Sequence, residues 1–128
     1  MINDKSRSYG KTKRVDIETL RRCFQNPALA NVTYAALFGS RAEGNGRPQS
    51  DYDIAVYGDD KHFGKWGMQA EVWGILSNLC GVDDCDLDIV DLAAAPRSLL
   101  ESIAKKHILL KGDSHGFSEL LGKLAAGR

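Results

Sequence analysis

Two apolar stretches, Tyr34-Ala35-Ala36-Leu37-Phe38 and Ile54-Ala55-Val56, bracket a polar segment that begins with Gly39-Ser40 and ends with Asp51-Tyr52-Asp53. No other feature constrains the chain as much. Each apolar stretch reads as a strand, one ended by a small-residue turn and the other opened by two carboxylates. In a strand, residues i and i+2 point to the same face, about 6.5–7 Å apart. Asp51 and Asp53 therefore share a face, and Tyr52 points to the other, into packing. Two carboxylates so placed repel unless a cation lies between them. Hard divalent ions such as magnesium prefer carboxylate oxygens. A bare Asp-x-Asp also suits the solvent face of an edge strand, so the pair needs support from elsewhere.

Two further elements supply it. Glycine lets backbone approach a ligand closely. Backbone N–H groups at a helix start bind phosphate, and Ser40 adds a hydroxyl and is a good N-cap type. With Glu43 three residues on, a capping box is available to a short helix starting there. Arg41 and Arg47 are candidate phosphate contacts, or ordinary loop charges. The second element is Asp88, in the middle of the apolar Leu87-Asp88-Ile89-Val90. An unpaired carboxylate buried there would be costly, and a metal shared with Asp51 and Asp53 would give it a partner. Asp86 and Asp91 are rivals for that role. Asp86 shares the strand face of Asp88, whereas Asp91 falls on the other.

The remaining pattern frames these strands. Asp16 caps a helix over Ile17, Leu20, Cys23 and Phe24, and Asn26-Pro27 stops it. Val32–Phe38 is a strand expected to be buried on both faces, and Asp51–Tyr57 is the second. From about Phe63 to Leu79, the residues Trp66, Ala70, Trp73, Leu76 and Leu79 keep helical spacing, with Trp66 and Trp73 on one face as core or partner surface and Gly81 as C-cap. Asp86–Leu92 is the third strand. A helix opens at Ala95-Pro96 and turns Leu99, Leu100, Ile103 and Ala104 inward. Ile108–Leu110 is a short strand, and Phe117–Ala126 is a final helix. The order predicts an α/β sandwich, one small sheet with helices against it. It does not say which strands pair antiparallel.

At 128 residues a single domain is the default. Residues 1–13 read as a flexible basic arm, and 14–128 as the domain. Seventeen basic residues balance seventeen acidic ones, which gives no support to nucleic acid held by bulk charge. No apolar run approaches the ~20 residues of a membrane span. The polar, basic start, with no apolar segment after it, is not a secretory signal. The three cysteines, Cys23, Cys80 and Cys85, then predict free thiols in a reducing cytoplasm. His62, His107 and His115 match no ligand spacing.

Gly39-Ser40, ten intervening residues and Asp51-x-Asp53 match the GSx10DxD signature of the DNA polymerase beta nucleotidyltransferase superfamily. The fuller string GSRAEG…SDYDIAV, followed by Asp88 in LDIVDL, resembles the minimal nucleotidyltransferases, from about Val15 to Gly112. The resemblance implies a small mixed-sheet nucleotidyltransferase palm with helices packed against it. It implies Asp51, Asp53 and Asp88 as catalytic residues and ligands of two magnesium ions, with Asp88 also helping to activate an acceptor hydroxyl. Gly39 and Ser40, with Arg41 and Arg47, would hold a nucleoside triphosphate.

Little remains beyond a palm, so another molecule must present the acceptor. Members of the minimal group resemble antitoxins that transfer AMP from ATP to a tyrosine of a HEPN-domain ribonuclease toxin. By that analogy the partner is a HEPN toxin, and nucleic acid is reached only through it. Two other readings stay open. One is a non-catalytic module that binds nucleotide or covers the toxin. The other is a small-molecule, antibiotic-type nucleotidyltransferase with its acceptor pocket at a homodimer interface.

Overall fold

The computed structural model describes residues 16–39, 42, 52–59, 67–80 and 87–127. The 1–13 arm, the helix expected at Ser40, Trp66 and the Gly81 cap lie outside the described residues. Helix α1 (Ile17–Phe24) starts where predicted, because the Asp16 carboxylate accepts the Thr19 N–H at 2.8 Å. Strand β1 (Val32–Phe38) follows, then β2 (Tyr52–Gly58), α2 (Gly67–Cys80), β3 (Leu87–Asp91), α3 (Arg97–Lys105), β4 (Ile108–Lys111) and α4 (Ser114–Ala126). Leu92, predicted as strand, instead begins a 3-10 turn.

The four strands form one mixed sheet in the order β3-β2-β1-β4. β1 runs antiparallel to both β2 and β4, whereas β2 and β3 are parallel. A parallel pair needs a crossover, and α2 provides it. Alternation then sorts the side chains. Ala35 and Leu37 of β1, Tyr52, Ile54 and Val56 of β2, and Leu87 and Ile89 of β3 join one buried core with α1 and α2. Ala36, Ala55 and the partly buried Val90 join a second core with Leu92, α3 and α4. Full burial of β1 on both faces holds only for Ala35 to Leu37, since Thr33 is exposed.

Three expectations need correction. Helix α2 buries Met68, Val72 and Leu76. Ala70 and Leu79 are exposed and Trp73 is half-buried, so among the described residues of that stripe only Leu76 is fully covered. In α3, Leu100 and Ile103 are buried, but Ala104 is exposed. The cysteines also depart from three free thiols: Cys23 on α1 and Cys80 at the end of α2 are joined as a disulfide, with a Cα–Cα distance of 6.8 Å. That pair staples the two helices that cover one face. Helix α4 packs on the domain itself through Phe117 and Leu121.

Both sheet edges are met by side-chain donors from the helices. At β4, Arg21 of α1 donates Nε–H to the Leu109 carbonyl at 3.2 Å. At β3, Gln69 of α2 donates to the Ile89 carbonyl at 2.8 Å. Satisfied edge groups discourage strand addition by another chain. Among the described residues, no helix is long and apolar enough to cross a membrane.

Candidate active site

The geometry of the sheet brings three predicted residues to one end and one face. β1 ends where β2 and β3 begin. In the antiparallel ladder Phe38 lies opposite Asp53, and Gly39 follows at once. In the parallel ladder Asp53 lies opposite Asp88. Residues directly opposite on neighbouring strands point to the same face with Cβ atoms about 5 Å apart. Asp53 and Asp88 are therefore side by side, although 35 positions apart in the chain, as the second residue of β2 and of β3 respectively. Their face is the one that α3 and α4 cover further along, at Ala55 and Val90. At this end the described residues leave the cover incomplete. Asp53 is half-buried and Asp88 is exposed.

Gly39 closes the third side. Its φ is +76°, a left-handed conformation that glycine adopts freely and other residues resist. A Cβ at this position would also run into the Asp53 carboxylate. The backbone thus selects glycine, and any larger residue would also have to displace the carboxylate beside it. Ala42, buried against the α1/α2 core, donates its N–H to the Gly39 carbonyl at 3.1 Å and fixes the turn.

Asp88 departs from the expectation in one respect. It is exposed, so desolvation does not oblige it to find a partner. β3 is an edge strand, and its second residue lies past the cover of α3 and α4. Register with Asp53, and not burial, is what ties Asp88 to the site. Asp91 falls on the opposite face, as alternation requires, and accepts the Ala93 N–H at 3.0 Å to cap the following turn. Asp91 thus stands apart from the face that Asp53 and Asp88 share. Asp51, Ser40, Arg41, Arg47 and Asp86 lie outside the described residues.

The donor set fits a hard divalent cation. Two carboxylates adjoin on one open face, and the missing Cβ of Gly39 leaves the Asp53 flank approachable. The described residues alone form no group of three metal-ligating side chains. Gln69 belongs to the surroundings of the site through its bond to the residue after Asp88. Sequence reasoning passed over it because a lone glutamine on a helix carries no motif.

Comparison with known proteins meets this geometry. No match to a curated protein is found. Among solved structures, a toxin–antitoxin complex with AMP-PNP contains a chain superposing with a TM-score of 0.67 at 22% identity, over 88% of this chain and 86% of that one. A MntA–HepT toxin–antitoxin complex gives 0.58 at 22% identity, over 87% and 81%. A complex of tri-AMPylated Shewanella oneidensis HEPN toxin with MNT antitoxin gives 0.57 at 20% identity, over 87% and 84%. At such identities the likeness is one of fold, and the fold is that of MntA antitoxins. The model of the "Polymerase beta, Nucleotidyltransferase" family matches residues 18–115, which include β1, β2, β3 and the signature running from Gly39 to Asp53. With its two aspartates aligned at the end of a mixed sheet and this match over most of its length, the chain belongs to the polymerase beta nucleotidyltransferase family.

Proposed function

We propose that this chain is an antitoxin-type protein adenylyltransferase that transfers AMP from ATP to a tyrosine hydroxyl of a HEPN ribonuclease toxin. The observation that carries the reading is the pairing of Asp53 with Asp88 on an open face beside Gly39. The similarity to MntA antitoxins, one of them in complex with an AMPylated HEPN toxin, supports the choice of acceptor. A neighbour crystallised with AMP-PNP supports an adenine nucleotide as donor.

In this reading Asp51, Asp53 and Asp88 would hold two magnesium ions. When bound, such ions neutralise the triphosphate and stabilise both the attacking and the leaving oxygen of an in-line displacement. Gly39 and Ser40 offer backbone N–H groups and a hydroxyl to the phosphates, with Arg41 and Arg47 adding charge. The tyrosine oxygen attacks the alpha phosphorus. A new P–O bond forms there, the bond to the bridging oxygen of the beta phosphate breaks, and pyrophosphate leaves. The tyrosine proton passes to Asp88, which is exposed and so open to an acceptor arriving from solvent. A large, exposed acceptor suits a site on an uncovered sheet end better than a closed pocket would. In this reading the reaction runs in the cytoplasm, where ATP is at hand and the Cys23–Cys80 pair would face reducing conditions.

The test is to combine the purified chain, a HEPN partner, magnesium and each nucleoside triphosphate in turn, then weigh the partner and map the modification. The expected result is a gain of one or more AMP units on tyrosine, with ATP alone. Toxin neutralised without any mass change would favour the non-catalytic module. Transfer to a small hydroxylated molecule instead would favour the antibiotic-type enzyme.

A further inference from the structure

We infer that Gln69 is a positioning residue for the carboxylate pair: its side-chain amide holds β3 so that Asp88 stays level with Asp53. The inference rests on the reading of that pair as a metal site. β3 is five residues long and lies at the edge of the sheet, paired among the described residues with β2 alone. Asp88 is its second residue, and strand ends at an edge open most easily. A carboxylate so placed needs support from outside the ladder. Leu87 and Ile89 supply part of it by packing into the α1/α2 core. Gln69 supplies the directional part, with Nε2 donating at 2.8 Å to the carbonyl of Ile89, the residue next to Asp88.

The base of that bond is firm. Gln69 is the third residue of α2, directly after Met68 and three before Val72, both buried in the core. Gln69 as a whole is exposed, so burial does not explain its presence, whereas its hydrogen bond is partly buried. The residue type also fits. Asparagine would fall about one methylene short. Glutamate would set an acceptor against a carbonyl oxygen. Groups that orient metal-holding carboxylates contribute through ligand geometry, and their loss typically weakens metal affinity by roughly 10–100-fold.

The experiment measures Mn2+ binding by the full chain in the presence of AMP-PNP, for wild type, Asp53→Asn, Gln69→Met and Gln69→Lys. It also follows amide hydrogen exchange in β3 and β1. Gln69→Met keeps length and removes the donor, and Gln69→Ala serves if that variant does not fold. Wild type is expected to bind, and Asp53→Asn to lose binding. Gln69→Met is expected to bind about tenfold more weakly, with faster exchange in β3 and unchanged exchange in β1. Gln69→Lys, which restores a donor but adds a positive charge near the carboxylates, is expected to return β3 exchange towards the wild-type rate. If Asp53→Asn loses Mn2+ while Gln69→Met binds like wild type, the positioning role is wrong and the metal site stands. If wild type binds no Mn2+, or Asp53→Asn binds it equally well, both are wrong. A uniform rise in exchange across β1 and β3 would mark a general structural role and overturn the inference.

Discussion

On the face that α1 and α2 cover, Tyr52, Ile54 and Val56 of β2 and Leu87 and Ile89 of β3 are all buried, from the first residue of each strand. On the opposite face the same two strands present Asp53 and Asp88 first, and only then the covered Ala55 and Val90. The alternation that buries Ile54 is what presents Asp53. One face is covered to the end and holds the sheet together. The other is left open at one end by the described residues and, in the proposed reading, supplies the chemistry. A register slip of one residue would exchange them, so the apolar face fixes where the carboxylates stand.

This contrast separates activity from stability, and substitutions on the two faces should split accordingly. Asp53→Asn should cut AMP transfer on the order of a thousandfold, about 4 kcal/mol of transition-state stabilisation. Its urea midpoint should stay close to wild type. Ile54→Ala, one residue along and fully buried, should do the reverse. It should cost about 2–5 kcal/mol in urea unfolding, with the rate per folded molecule retained. Gly39→Ala lies where the faces meet and should lose on both counts. The left-handed backbone alone should cost about 1–2 kcal/mol, and nucleotide binding should fall as the new methyl crowds Asp53. A Gly39→Ala protein with wild-type stability and binding would mean that the turn is more pliant than its geometry implies.

The smallest effect belongs to the cap of α1. The Thr19 hydrogen bonds, side chain first and backbone second, hold the Asp16 carboxyl below its ordinary value of 3.8. A carboxyl lowered on folding stabilises above its unfolded value, and that contribution fades as pH falls through the lowered one. Wild type should therefore exceed Asp16→Ala in stability at neutral pH. The gap should close in strong acid, read as the difference between their urea midpoints across a pH series.

What was legible beforehand follows the same division. β1, β2 and the capped α1 could be read because their signals are local: apolar runs, a glycine, a carboxylate three residues before the N–H it accepts. The position of Asp53 came with β2. The inward face of α2 could not be read because that helix is apolar on several sides. Ala70 and Leu79 keep helical spacing as well as Met68, Val72 and Leu76 do, and only the sheet beneath decides between the two stripes. The Cys23–Cys80 pair is 57 residues apart in sequence and depends on where α1 and α2 come to lie. The burial argument for Asp88 failed because nothing in Leu87-Asp88-Ile89-Val90 says that the strand stands at an edge. Its register with Asp53 needed the parallel pairing.

The central claim is that Asp53 and Asp88 act as one unit, and a double-mutant cycle tests it most directly. Transfer of label from alpha-labelled ATP to a HEPN partner would be timed for wild type, Asp53→Asn, Asp88→Asn and the double variant. If the two carboxylates hold one site, each single change should remove most of the rate, and the double change should remove little more. An Asp88→Asn protein that transfers label at the wild-type rate, or two losses that simply multiply, would contradict the account.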